Sequence, residues 1–179
     1  VPAASDGQPI ELGVKFRSSV AGYILGLRFY KGAPDLGPYT GNLWSSSGAP
    51  LASASFPSTT ATGWQEVLFT VPVAVDAGTT YVASYFSPAG YFAINSGYFS
   101  ATGLDTPPLR ALQNGEDGPN GVYHYGSSGF PTSGGGANYW VDVVFSTTPS
   151  ADTTPPTVAS VTPAAGAGDV DPASSVSAT

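Results

Sequence analysis

Two stretches near the start of the chain, "IELGVKF" and "YILGLRFY", place apolar residues at every second position. Ile10, Leu12, Val14 and Phe16 fall on one face, with Glu11, Lys15 and the following Arg17 on the other. Tyr23, Leu25, Leu27 and Phe29 share a face opposite Arg28. A period of two is that of a strand with one face buried, and no stretch keeps a helical period for more than a turn or two. The runs "GNLWSS", "LASASF", "WQEVLFTV", "TYVASYF", "GYFAINS" and "YWVDVVF" extend the pattern. The segments between them, such as "KGAPDLGPYTG", "SSGAP", "FPSTTATG" and "VDAGT", are turn chemistry, in which Pro presets φ and Gly accepts positive φ. Seven or eight short strands at this spacing predict an all-β fold, a β-sandwich of jelly-roll type.

The pattern also divides the chain. Residues 1–147 read as the sandwich module and 148–156 as a Thr/Pro linker, extended and semi-rigid. Residues 157–179 read as the first strand or strands of a truncated Ig-like domain, opening with Val158 and Val161. About twenty residues bury too little apolar area to offset the entropy of ordering them alone, so this tail is expected to pack on a neighbour. Within the module, residues 102–138 lose the alternation. Long irregular segments in compact domains are usually functional or disordered, which makes this the first place to look for a site.

Composition removes several functions. Five Lys+Arg against 12 Asp+Glu give a net charge of -7, and Lys15, Arg17, Arg28, Lys31 and Arg110 form no run. Nucleic acid, which needs a positive field to release counterions, is not an expected partner. The chain has no cysteine, hence no disulfide, thiolate metal site or cysteine nucleophile. No apolar run is long enough for membrane insertion by a helix. Charged residues are only 9% of the chain, so Ser, Thr, Gly and Asn carry the surface. That surface suggests an exported protein, secreted or on the cell surface, seen in its mature form.

Catalytic constellations are hard to assemble from what remains. His124 is the sole imidazole, set in "NGVYHYGSSGFP", and neither "GSSGF" nor "TSGGGA" has the spacing of a nucleophile elbow. Most acids fall in turns. Glu11, Glu66 and Asp142 lie in strands, where they read first as cross-strand partners of Lys15, Arg17 or Arg28. The chain is therefore read as noncatalytic. Zinc is improbable with one His and no Cys. A structural calcium asks only for oxygen ligands, and "NGEDGPNG" offers Asn114, Glu116, Asp117 and Asn120, although Tyr125 stands where an EF-hand has its closing glutamate. The Glu11 and Asp142 strands are the other candidate donors. In "VDAGTTY", Val75, Gly78 and Tyr81 have the spacing of a tyrosine corner, so Tyr81 reads as structural.

Aromatic residues are the remaining signal. Tyr39, Tyr91, Tyr98, Tyr123, Tyr125 and Phe130 fall in irregular or turn-flanked regions. Sugars stack their C–H faces on such rings while polar groups take the hydroxyls. The competing reading is that the rings cap the ends of the sandwich core. Trp44, Trp64 and Trp140 read as core or inter-sheet anchors.

Taken in order, "ELGVKFRSSVAGYILGLRFYKG", "LWSSSGAPLASASF", "GWQEVLFTVPVAVDAGTTYVASYF", "NGVYHYGSSGFP" and "NYWVDVVF" resemble a bacterial module catalogued as domain of unknown function 4082, over roughly residues 8 to 146. The tail "DTTPPTVASVTPAAGAGDVDPASSVSAT" resembles the opening of a bacterial Ig-like domain. Several members of the family have His-Ala-Pro where this chain has "FSP", with Phe86 at the histidine position. The resemblance implies an accessory, noncatalytic role in a large secreted or surface protein, beside neighbouring Ig-like domains of the same polypeptide. It brings no established binding residues.

From the residues, two functions are expected to compete. One is a module holding a polysaccharide, with Tyr91, Tyr98, Tyr123 and Tyr125 as stacking rings and Asn95 and His124 as hydrogen-bonding groups. Coplanar exposed rings along one groove are its signature. The other is a structural or adhesive spacer with no soluble ligand, whose rings are buried.

Overall fold

The structure, a computed structural model, describes residues 2–34, 37–58, 61–149, 160–164, 166–171, 173, 175 and 177–178. Among them there is no helix. The strands are β1 (Ala3–Ser5), β2 (Ile10–Ser18), β3 (Gly22–Lys31), β4 (Thr40–Ser45), β5 (Pro50–Ser55), β6 (Gly63–Val75), β7 (Tyr81–Ser87), β8 (Tyr91–Ala93), β9 (Leu104–Thr106), β10 (Leu109–Ala111), β11 (Val122–Tyr125), β12 (Ser133–Gly134), β13 (Val141–Ser146), β14 (Val161–Thr162) and β15 (Ser177–Ala178).

They build a sandwich. The larger sheet runs β12-β11-β2-β7-β4-β5, with the β9-β10 pair also joined to β2; the smaller runs β13-β3-β6. β1 pairs with β8 beside them. The chain passes between sheets at β2 to β3, β3 to β4, β5 to β6, β6 to β7 and β12 to β13, as in a jelly roll. Apolar alternation explains the core. Leu12, Val14 and Phe16 of β2, Leu43 of β4 and Ala83 and Tyr85 of β7 are buried against Ile24, Leu27 and Phe29 of β3. At its centre Phe29 stacks on Tyr85, centroids 4.4 Å apart, and meets Phe56 edge-on at 4.8 Å. Tyr39, expected among loop rings, joins this cluster and is buried.

One expected face is wrong. Both ladders of β3 skip Leu25, where the register jumps between Ile24 and Gly26. A bulge shifts side-chain parity by one. Ile24 therefore joins Leu27 and Phe29 in the core with no exposure, and Tyr23, half-buried, lies on the opposite face.

The irregular segment 102–138 contains four short strands and wraps the larger sheet. β11 pairs with Ile10–Gly13 and β10 with Phe16–Ser18, so two separate pieces complete one edge of β2. The chain between them crosses the sheet's outer face, where Lys15 Nζ donates to the Asp117 carbonyl at 2.5 Å and Arg17 pairs with Asp117. Tyr81 behaves as its spacing predicts: its phenol oxygen accepts the Asp76 N–H at 3.1 Å.

Beyond the sandwich, β14 and β15 pair antiparallel, Val161 opposite Ala178 and Thr162 opposite Ser177. Of the linker expected at 148–156, residues 150–156 lie outside the described residues, as does Val158.

Candidate functional site

Trp64 is the second residue of β6, after the positive-φ Gly63, and in phase with Glu66. In the β3-β6 ladder Tyr30 faces Trp64 and Arg28 faces Glu66. On the other side of β3, Arg28 faces Asp142 of β13. These side chains share the outer face of the smaller sheet. The Arg28 guanidinium lies over the Trp64 ring, 5.2 Å from its centroid, and forms an ion pair with Asp142 at 2.6 Å. Asp142 is thus the cross-strand partner of an arginine, as its strand position suggests.

Trp140 completes the group. Its φ is 56°, left-handed backbone that a bulky residue rarely adopts and that costs of order 1–3 kcal/mol unless its surroundings hold it. Three hydrogen bonds do so here. Trp140 N donates to Asn138 Oδ1 at 2.7 Å, its carbonyl accepts Tyr30 N at 2.8 Å, and its indole Nε1 donates to Asn95 Oδ1 at 2.8 Å. The ring lies 6.3 Å from Trp64 and 6.0 Å from Tyr98, at interplanar angles of 68° and 61°. Trp64 is 47% exposed and Tyr98 40%. They line a cleft of about 340 Å³ that runs along β13, with Leu104 and Leu109 on its far side.

The expectation that the tryptophans are core or inter-sheet anchors is therefore corrected for Trp64 and Trp140. Trp44 is half-buried on the larger sheet, its Nε1 donating to Ser84 Oγ at 2.8 Å. Trp64 and Trp140 form a cleft instead. Part of the signal was present in the sequence: Trp64 is in phase with Glu66 on the polar side of β6, whereas Trp140 precedes β13 and its side chain is aimed by its left-handed backbone.

The six residues expected to form one ligand site do not come together. Asn95 and Tyr98 belong to the tryptophan cleft. Tyr123 and Tyr125 alternate with His124 along β11, so they lie on opposite faces. The two tyrosines, 5.6 Å apart and edge-on, line a second cleft of about 270 Å³ with Asp6, Phe92 and Tyr139. Tyr125 Oη donates to Asp6 Oδ2 at 2.5 Å. That bond to a carboxylate, with some burial, pushes the Tyr125 phenol up to about 12; burial first, then the nearby phenols and Asp6, does the same for Tyr139. His124 sits on the outer face of the larger sheet, in register with Glu11 and beside Gly129. Tyr91 is exposed on β8, opposite Ser5, and lines neither cleft. Nor are the rings coplanar.

Glu11 is not paired with a base. It has no exposure, and its carboxylate accepts hydrogen bonds from Asn42 Nδ2 at 2.9 Å, Ser84 Oγ at 2.5 Å and Ser128 Oγ at 2.8 Å. Burial pushes its carboxyl up against the pull of those bonds and one from the Gly129 backbone. The other acids considered for calcium are held by cations. Glu116 pairs with Arg110 at 2.8 Å and Arg17 at 3.5 Å. Asp117 bonds Arg17 and Thr80. The Arg110 bond holds Glu116 below the usual carboxylate range, and the Thr80 bond does so for Asp117. Asn114 Oδ1 accepts the Asn120 N–H at 3.0 Å. Glu11 and Asp142 lie on different sheets, and among the described residues no three of His, Asp or Glu gather as a metal group.

Fold and clefts together define an all-β sandwich with two aromatic clefts, one beside β13 of the smaller sheet and one against β2 and β11 of the larger. By sequence, residues 1–141 match the model of the family described as Domain of unknown function (DUF4082), and the chain belongs to that family. No curated protein matches the chain.

Proposed function

We infer that the chain is a noncatalytic module that binds a saccharide in the Trp64–Trp140–Tyr98 cleft, within a secreted or surface-exposed bacterial protein. The observation that carries this reading is Trp140: a strained backbone locked by three hydrogen bonds presents a large ring at an open cleft, a cost that core packing does not require. Rings stack on sugar C–H faces, while Arg28, Asp142 and Asn138 offer polar partners for hydroxyls. Interplanar angles above 60° leave no flat platform, so the class of ligand that fits is a single, bent glycan chain rather than a crystalline polymer face. The reading needs no metal and no acid-base pair. The tail from residue 157 is taken as the start of an Ig-like neighbour.

Affinity electrophoresis against plant, algal and microbial polysaccharides tests this. Retardation by at least one soluble glycan, lost in Trp64→Ala and Trp140→Ala, is the expected result. Unchanged mobility across the panel favours the spacer alternative, for which Leu68 and Val71, 51% and 71% exposed on β6, would supply the packing surface.

A further inference from the structure

The second cleft has different chemistry. Its walls are two edge-on ring pairs, Tyr123 with Tyr125 at 68° and Phe92 with Tyr139 at 79°. Ile10 and Leu12 line it as well, and among the described residues Asp6 is its only charged lining residue. Among the described residues no Arg, Lys, Asn or Gln lines it. A sugar would find few donors and acceptors beyond the phenols and one carboxylate. An organic cation would find what it needs: ring faces, which attract positive charge through their quadrupoles, apolar surface for alkyl groups, and one carboxylate. The Asp6–Tyr125 bond fixes that carboxylate at the rim, and the raised Tyr125 and Tyr139 phenols stay neutral at ordinary pH. A net charge of -7 favours a cation's approach.

We propose that the cleft bounded by Asp6, Phe92, Tyr123, Tyr125 and Tyr139 binds an alkylated ammonium group, such as a choline headgroup or a methylated amine. The inference stands independently of the glycan reading, since no residue is shared between the two clefts.

The full chain is titrated with choline, with tetramethylammonium and with 3,3-dimethylbutan-1-ol, the uncharged carbon counterpart of choline, while the tyrosine ring resonances are followed by NMR. Choline is expected to bind about tenfold or more tightly than the alcohol, the scale of a desolvated cation–π contact. Tyr125→Leu and Asp6→Asn, at exposed positions that leave the core intact, are each expected to weaken choline about tenfold, and Tyr125→Phe less than about threefold because it keeps the ring. Trp64→Ala should leave choline binding unchanged whether or not a glycan binds. Equal affinity for choline and the alcohol overturns the proposal, as does absence of choline binding. So do shifts of Tyr123 and Tyr125 caused by methyl glycosides and not by choline; that outcome would assign the cleft to sugars.

Discussion

The side-chain amide of Asn120 takes the place of a strand beside Lys15. Its Oδ1 accepts the Lys15 N–H at 2.8 Å and the Gly121 N–H at 2.7 Å, while its Nδ2 donates to the Lys15 carbonyl at 3.2 Å and the Leu112 carbonyl at 2.5 Å. Lys15 lies in the gap between the stretches of β2 covered by β11 and β10, and Asn120 closes it with no exposure to solvent. Replacement by Ala leaves buried backbone groups without partners, at roughly 1–3 kcal/mol for each that water does not reach. Asn120→Ala is expected to lower unfolding stability by about 3 kcal/mol in urea titrations. Asn120→Asp should do no better, because it loses both donors and buries a charge.

Trp140 separates function from stability. Trp140→Gly relieves the positive φ, worth of order 1–3 kcal/mol, and removes a half-buried ring whose packing is worth a similar amount. Stability by urea denaturation is expected to stay within about 1 kcal/mol of wild type, while retardation by glycan in affinity gels disappears. A loss of several kcal/mol would show that the ring serves packing.

Glu11 makes stability depend on pH in a direction opposite to that of most carboxylates. Its folded pKa is raised, chiefly by burial, so between the unfolded and folded values the native state holds more protons. Stability from this group is fully present below the unfolded value of about 4.5 and is lost as pH rises through the folded value. Denaturation midpoints measured across that range should show the wild type losing ground relative to Glu11→Gln as pH increases. A wild type that gains relative to the variant would mean that the hydrogen bonds outweigh burial.

The tyrosine corner gives a smaller effect. Tyr81→Phe removes the bond to the Asp76 N–H and keeps the ring against Phe16, 6.1 Å away. A loss of about 1 kcal/mol in chemical denaturation is expected.

The strands and the sandwich were legible because a half-buried sheet imposes period two on every strand, and β2 obeys it from Ile10 to Phe16. Leu25 hid the parity shift in β3, since a bulge replaces one apolar residue by another and leaves no compositional trace. The tyrosine corner was legible because its bond is local. The site was legible only in part. Tyr98 and Asn95 were chosen as ring and hydrogen-bonding group, but their partners Trp64 and Trp140 fall in runs that alternate like strands, "WQEVLFTV" and "YWVDVVF", where a tryptophan reads as core, and the left-handed backbone that turns Trp140 outward leaves no mark in the pattern. Grouping Tyr123, His124 and Tyr125 treated "YHY" as one surface, although strand alternation sends the histidine away from the tyrosines. Asn120 was read as a metal donor. Its bonds to backbone 105 residues away are invisible to local spacing.

The patching of β2 by β10, Asn120 and β11 also orders events on an emerging chain. β2 leaves the ribosome about a hundred residues ahead of the pieces that seal its edge. Until Tyr125 has emerged, that edge offers unpaired amides and carbonyls to any passing strand. The long sequence separation of these partners makes their docking a late and slow step. A nascent chain of this module therefore stays open, and dependent on protection, through most of its length.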